Sequence, residues 1–202
     1  MISSLTAGSV RDDAPAPARI EIRKARMSDI PALLDLINGY ASRGVMLPRT
    51  ELEISESIRD FSVALADGRF AGCGALHFYS PTVGEVRSLA VAERAKTRGV
   101  GRQLVETLVS EATGYSLDAV FAFTYVPDFF RKAGFEEVER GALPLKAWKD
   151  CLRCPKFQSC DEVAVMRVIQ PDHWHAVPHK WGQSTHPDEG REAIVFPIIL
   201  KQ

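Results

Sequence analysis

The chain has 202 residues, 46% of them hydrophobic and 25% charged, with a formal net charge of -1. That is ordinary globular usage, enough for one domain with tails, and the absence of a basic excess argues against general nucleic-acid binding. No apolar run reaches the roughly 18 residues of a membrane-spanning helix. The start MISSLTAGSVRDDAPAPAR lacks the basic and apolar regions of a signal peptide. Three of the four cysteines fall within ten positions, unlike a secreted disulfide scaffold. A cytoplasmic protein is expected.

Residues 1–18 are polar, small and rich in Ala and Pro, and are expected to be a disordered leader. A domain over residues 19–169 then follows. IEIRKA alternates apolar and charged residues, as a half-buried strand does. The apolar residues of SDIPALLDLINGYASRG recur at helical spacing, with Ser28 as the expected N-cap and Gly44 as the stop. MLPR is a loop, and Thr50 with Glu53 forms a capping box for a second short helix. FSVALADGRFAGCGALHFY reads as a hairpin turning at Asp67-Gly68. GEVRSLAV is a strand, GRQLVETLVSEAT an amphipathic helix, DAVFAFTYV an apolar strand and PDFFRKAG a short helix ending at Gly134. FEEVERG is expected as a strand, LPLKAWKDCLRC as a helix and EVAVMRVI as a strand. The extension 170–202 is irregular until AIVFPIIL, a possible last strand. The order is β-α-α-β-β-β-α-β-α-β-α-β.

The stretch with the most chemistry is the strand Glu85–Val91, the loop Lys96-Thr97-Arg98-Gly99-Val100-Gly101-Arg102, and the helix from Gln103. A helix N-terminus leaves N–H groups unpaired and carries partial positive charge. Glycines let backbone approach a ligand closely. Together they suit a pyrophosphate, with Lys96, Arg98 and Arg102 adding charge. The spacing fits neither the P-loop nor the dinucleotide fingerprint.

Lys96-x-x-Gly99-x-Gly101 resembles the [Q/R]-x-x-G-x-[G/A] signature of the GNAT N-acetyltransferases, with Lys in the first position. Phe129-Phe130-Arg131-Lys132-Ala133-Gly134-Phe135 is similar to a second block of that family, with Phe130 where many members have a Tyr that protonates the CoA thiolate. Gly72–His77, Gly84–Val91 and the loop Leu47-Pro48-Arg49 resemble the short-form N-acetylglutamate synthases, which also lack that Tyr. In 202 residues there is no room for the amino-acid-kinase domain of the longer forms, so feedback by that route is not expected.

The resemblance implies an α/β (α+β) GNAT fold: a mixed central sheet splayed between its fourth and fifth strands, with helices on both faces. It implies an enzyme moving acetyl from acetyl-CoA to the amine of L-glutamate, the first step of arginine biosynthesis. Backbone at Leu89, Ala90 and Val91 would grip pantetheine, and the N–H groups near Leu89 and Val91 would face the oxyanion. Lys96, Arg98, Gly99, Val100, Gly101, Arg102, Phe129 and Phe130 complete the expected cofactor site. Glu85 is the candidate base, directly or through water, and Tyr125 or water the candidate acid. A dicarboxylate calls for bidentate arginines, and Arg49 and Arg87, helped by Ser88, are the candidates.

Other readings stay open: another small-amine acceptor, or a module that binds acyl-CoA without turnover, which Phe130 favours. Cys151-x-x-Cys154-x5-Cys160 has zinc-like spacing but lacks a fourth ligand, unless His173, His175, His179 or His186 supplies one. Reduced thiols without metal are expected. Cys73 and His77 read as core or hairpin residues. Edge strands leave a homodimer open.

Overall fold

The computed structural model of the protein describes residues 19–140, 143, 152, 154 and 156–173. Its strands are β1 (Ile20–Lys24), β2 (Phe61–Ala66), β3 (Arg69–Phe78), β4 (Val83–Val91), β5 (Ala119–Thr124), β6 (Glu136–Glu137) and β7 (Val163–Val168). Its α-helices are α1 (Ile30–Ala41), α2 (Glu51–Glu56), α3 (Val100–Gly114) and α4 (Pro127–Lys132). The strands form one sheet in the order β1-β2-β3-β4-β5-β7-β6. Every neighbouring pair is antiparallel except β4 and β5, which are parallel. The mixed sheet expected from the sequence is therefore present.

The local signals act where their physics allows. Asp67 (φ 52°) and Gly68 (φ 75°) both lie in the left-handed region. That is the turn whose twist matches the strands of a tight hairpin. Thr50 accepts from the Glu53 N–H at 3.2 Å, and the Glu53 carboxylate accepts from the Thr50 N–H at 2.9 Å, so the capping box closes as expected.

Ser28 is not the N-cap of α1. Met27–Asp29 forms a single 3-10 turn, and Asp29 immediately precedes the helix. The Asp29 carboxylate accepts two bonds from Arg23, at 2.7 and 2.9 Å, and one from the Arg26 N–H at 2.7 Å. The bond from Arg26 closes the 3-10 turn, and the Asp29 side chain makes no capping bond to α1 itself. α3 starts at Val100 rather than Gln103, because Gly99 (φ 80°) reverses the chain one residue earlier. Gly101 therefore lies inside the first helical turn. The strand expected over FEEVERG pairs only at Glu136–Glu137, against β7. The leader 1–18, most of the helix expected over 143–154, and the tail after residue 173 with its expected strand lie outside the described residues.

Two apolar layers cover the sheet. On one face Ile30, Leu33 and Ile37 of α1 and Ile54 of α2 pack on Phe61, Val63, Cys73, Ala75 and Ala90. On the other, Val105, Leu108 and Val109 of α3 and Phe130 of α4 pack on Leu76, Val86, Val120, Ala122 and Val165.

One irregularity in β4 organises the site. Ala75 pairs with Arg87 and Cys73 with Ala90, so Ser88 and Leu89 together stand against Gly74. This is a β-bulge, which inserts a residue and exchanges the faces of all that follow. Before it Val86 packs under α3, and after it Ala90 packs under α1. Ser88 carries the strain with φ 52°, and the Cys73 thiol lies 3.6 Å from its carbonyl oxygen.

Candidate active site

The parallel ladder of β4 and β5 has three rungs, Val83–Ala119, Gly84–Val120 and Glu85–Phe121. Both strands continue, to Val91 and Thr124, without pairing to each other. The opening between them is a cavity of about 520 Å³. β4 supplies its floor, the end of α1 and the following loop one wall, and Phe123–Val126 with Lys156, Cys160 and Glu162 the other.

Seven residues expected at the site line this cavity: Arg49, Glu85, Arg87, Ser88, Leu89, Tyr125 and Phe130. Arg49 is held there through its backbone. Asn38 of α1 donates to the Arg49 carbonyl at 3.0 Å and accepts from the Arg49 N–H at 2.9 Å. This pair of hydrogen bonds to one side chain fixes an otherwise irregular loop on the helix.

Glu85 is 8% exposed, a low value for a carboxylate, and Tyr79 donates to it at 3.0 Å. Arg87 approaches Asp60 at 3.8 Å, and Asp60 in turn meets Nδ1 of His77 at 2.7 Å. His77 is thus a polar partner at the sheet surface, whereas Cys73 is fully buried, with its thiol pushed up to about 12 by burial.

Tyr125 faces Lys156, whose Nζ lies 3.5 Å from its hydroxyl and 5.0 Å from its ring centre. Burial, followed by the charges of Glu162 and Asp161, pushes the Tyr125 hydroxyl up to about 12. Burial also raises the Glu162 carboxyl. Phe130 is buried and stands edge-on to Phe129 and Phe135. Its position therefore serves packing as well as the cavity wall.

The glycine loop lies apart from this cavity. Ala90, Val91, Lys96, Arg98, Gly99, Val100, Gly101, Arg102 and Phe129 do not line it. Lys96 is bonded to Glu93 at 2.8 Å, and Arg98 reaches the hairpin turn at Asp67, also 2.8 Å away. Arg102 lines a shallow depression with Ile22 and Glu106. A Cβ at Gly101 would stand 3.3 Å from the Phe129 ring and 3.5 Å from Val91. The absence of a side chain thus keeps the first turn of α3 close to the end of β4. The residues fit a diphosphate: a glycine-turned N-terminus of a long helix, with Lys96 and Arg102 beside it.

Cys154 and Cys160 also line the cavity, and Cys151 lies outside the described residues. Among the described residues no three His, Cys, Asp or Glu side chains are grouped to hold a metal. The Cys160 sulfur instead lies 3.2 Å from Arg140 and 3.7 Å from Glu162. His173 is in a terminal turn, and the other tail histidines are outside the described residues.

Sequence reasoning missed Tyr79, Asp60, Lys156, Arg140 and Glu162. Pairing the hairpin in register would have set His77 opposite Glu85, with Tyr79 two residues on. No local pattern announces Lys156 or Arg140, because they reach the cavity only through the fold.

The comparisons with known proteins agree with this geometry. The acetyltransferase (GNAT) family model matches residues 31–135. An uncharacterized N-acetyltransferase of Chlorobaculum tepidum is 40% identical over 148 residues, 73% of this chain and 96% of the relative. An amino-acid acetyltransferase of Mycobacterium tuberculosis is 34% identical, over 62% of this chain and 73% of its own length. The crystal structure of N-acetylglutamate synthase from Neisseria gonorrhoeae, complexed with coenzyme A and N-acetyl-glutamate, superposes with a TM-score of 0.68 at 28% identity. That superposition covers 75% of this chain but 35% of the synthase. A Mycobacterium tuberculosis protein solved with coenzyme A covers 74% of this chain and 99% of its own, with a TM-score of 0.64 at 27% identity. No helix among the described residues is long and apolar enough to cross a membrane. By its family match, its close relative and its splayed sheet, this chain belongs to the acetyltransferase (GNAT) family.

Proposed function

We propose that the protein transfers acetyl from acetyl-CoA to the amine of L-glutamate. The observation that carries this reading is the placement of Arg49 in one wall and Arg87 in the floor of one cavity. A monocarboxylate needs one bidentate guanidinium and a dicarboxylate can use two. A cationic acceptor would be repelled by both. The acetyltransferases named for amino acids among the relatives, and the synthase solved with N-acetyl-glutamate, support the same acceptor.

The reaction needs a neutral amine, an oxyanion site and near-attack geometry. Glu85 accepts the ammonium proton, directly or through water, with Tyr79 holding the carboxylate by a hydrogen bond of 3.0 Å. The freed amine attacks the thioester carbonyl carbon. Ser88 and Leu89, which stand together against Gly74 in the bulge, and Val91 present backbone N–H groups to the developing oxyanion. Collapse breaks the C–S bond and expels the CoA thiolate. Tyr125, protonated throughout the neutral range, donates a hydrogen bond to the sulfur. The second proton of the attacking nitrogen, shed as the amide forms, passes through water to the thiolate, since a hydroxyl at about 12 is a poor acid for it.

The N–H groups of the first turn of α3, with Lys96, Arg98 and Arg102, hold the pyrophosphate, and Phe129 backs the helix start at Gly101. A cytoplasmic location, a pathway role in arginine biosynthesis and a homodimeric assembly go with this reading. Incubation with acetyl-CoA and an equimolar mixture of amino acids, followed by mass spectrometry, tests it. The expected product is N-acetylglutamate; a different acetylated amine as the main product would replace the acceptor.

A further inference from the structure

The cavity floor continues, on the α1 and α2 side of the sheet, into a polar row that the chemistry above does not use. Arg87 and Ala75 are paired across β4 and β3, as are Glu85 and His77. Side chains two apart on a strand share a face. His77 and Arg87 therefore stand diagonally on one face. Between them sits Asp60, the last residue of the 3-10 turn Ile58–Asp60 that leads into β2. Asp60 Oδ2 meets both: His77 Nδ1 at 2.7 Å and Arg87 at 3.8 Å. Arg87 lines the cavity, whereas Asp60 and His77 do not. The guanidinium thus spans from the cavity to a carboxylate behind it.

We propose that Asp60, braced by His77, is a positioning residue that orients the Arg87 guanidinium toward the carboxylate of the acceptor. The proposal rests on the reading of Arg87 as an acceptor contact. Its physical basis is geometric. An arginine side chain has rotamer entropy to lose on binding. A carboxylate behind it, itself fixed by a short bond, removes part of that loss before the acceptor arrives. The side chains of Arg87, Asp60 and His77 are 15%, 28% and 35% exposed, so the row is partly shielded from solvent.

Two effects of Asp60 oppose each other, and their signs separate them. Its negative charge weakens the field that Arg87 offers to an anionic acceptor. If that screening dominated, neutralising Asp60 would tighten acceptor binding. If orientation dominates, neutralising it loosens acceptor binding. Oriented, partly desolvated donors are worth more to a planar anion than net charge at an open surface, and orientation is the effect expected here.

The test compares wild type, Asp60→Asn, Arg87→Ala and the double variant, reading KM for glutamate, KM for acetyl-CoA and kcat. Asp60→Asn keeps the shape and a hydrogen bond to His77. It is expected to raise the glutamate KM roughly tenfold with the acetyl-CoA KM unchanged, and to add nothing in the Arg87→Ala background. His77→Gln, a second variant, is expected to raise the same KM by a smaller factor. An unchanged or lowered glutamate KM in Asp60→Asn, or an equal rise in the Arg87→Ala background, overturns the proposal while leaving Arg87 as a contact. A parallel rise in the acetyl-CoA KM shows general damage and also overturns it. If Arg87→Ala leaves the glutamate KM unchanged, the reading of Arg87 fails first and the proposal falls with it.

Discussion

Glu85 and Phe121 form the last rung between β4 and β5, and the cavity begins where their pairing ends. The same rung sets the candidate base at the mouth of the opening. Three residues on, the bulge at Ser88 and Leu89 ends the part of β4 that lines the cavity. The site is thus a defect of the sheet held open by the packing on either side.

That packing predicts a contrast between two glycines. A Cβ at Gly72 would stand 2.8 Å from the Ala90 carbonyl oxygen, in the ladder just past the bulge. Backbone cannot move aside there without shifting β4. Gly72→Ala is expected to destabilise by about 2 kcal/mol or more and to lower activity. Gly39, within α1, has nothing within 4 Å of a Cβ and no positive φ. Gly39→Ala is expected to be neutral or to stabilise by about 0.5–1 kcal/mol. Chemical denaturation of the two variants checks both signs.

Asp29 gives stability a pH dependence. Its bonds to Arg23, above all, hold its carboxyl below the usual range. A group whose folded pKa is depressed adds stability above its unfolded value, near 3.9, and loses that addition as pH falls through the folded value. Asp29→Asn is therefore expected to unfold at lower denaturant than wild type at pH 7. The gap should narrow as pH falls below about 4. A gap that stays constant from neutral to acid pH would show that the carboxylate charge is not what matters.

Glu93 predicts a gain rather than a loss. Its carboxylate bonds Lys96 at 2.8 Å and Arg43 at 3.2 Å, and those cations hold it below the ordinary carboxylate range. It stays ionised at neutral pH and, on the proposed placement of the pyrophosphate, would compete with it for Lys96. Glu93→Gln is expected to lower the acetyl-CoA KM by about two- to fivefold at low salt, with less effect at high salt, since these groups are exposed. Kinetics at two ionic strengths check it. A raised KM would mean that Glu93 orients Lys96 for the phosphates.

Much of this was legible in the sequence because it is local. The Asp67-Gly68 hairpin turn, the Thr50–Glu53 capping box and the strand–glycine–helix order each depend on neighbours a few positions apart. What was not legible is long-range or competitive. Asp29 rather than Ser28 stands at the start of α1, in a 3-10 turn, its carboxylate bonded by Arg23 from β1 and by the Arg26 N–H. The bulge at Ser88 exists only in the pairing of β3 with β4, and its change of face cannot be read from β4 alone. Arg98 meets the carboxylate of Asp67 in the hairpin turn, a residue 31 positions away that no local pattern connects to it, whereas the bond from Lys96 to Glu93 spans only three positions. Lys156 and Glu162 come to Tyr125 from the segment before β7, and only the closed sheet brings them together.

The most direct measurement is the initial rate of CoA thiol release from acetyl-CoA across a panel of amino acids, for wild type and Arg49→Ala. Glutamate is predicted to give the highest kcat/KM. In Arg49→Ala its KM is predicted to rise by about tenfold or more, as the loss of a bidentate carboxylate contact should require, with the acetyl-CoA KM unchanged. A higher kcat/KM for a cationic or apolar amino acid, together with an unchanged glutamate KM in Arg49→Ala, would contradict the account.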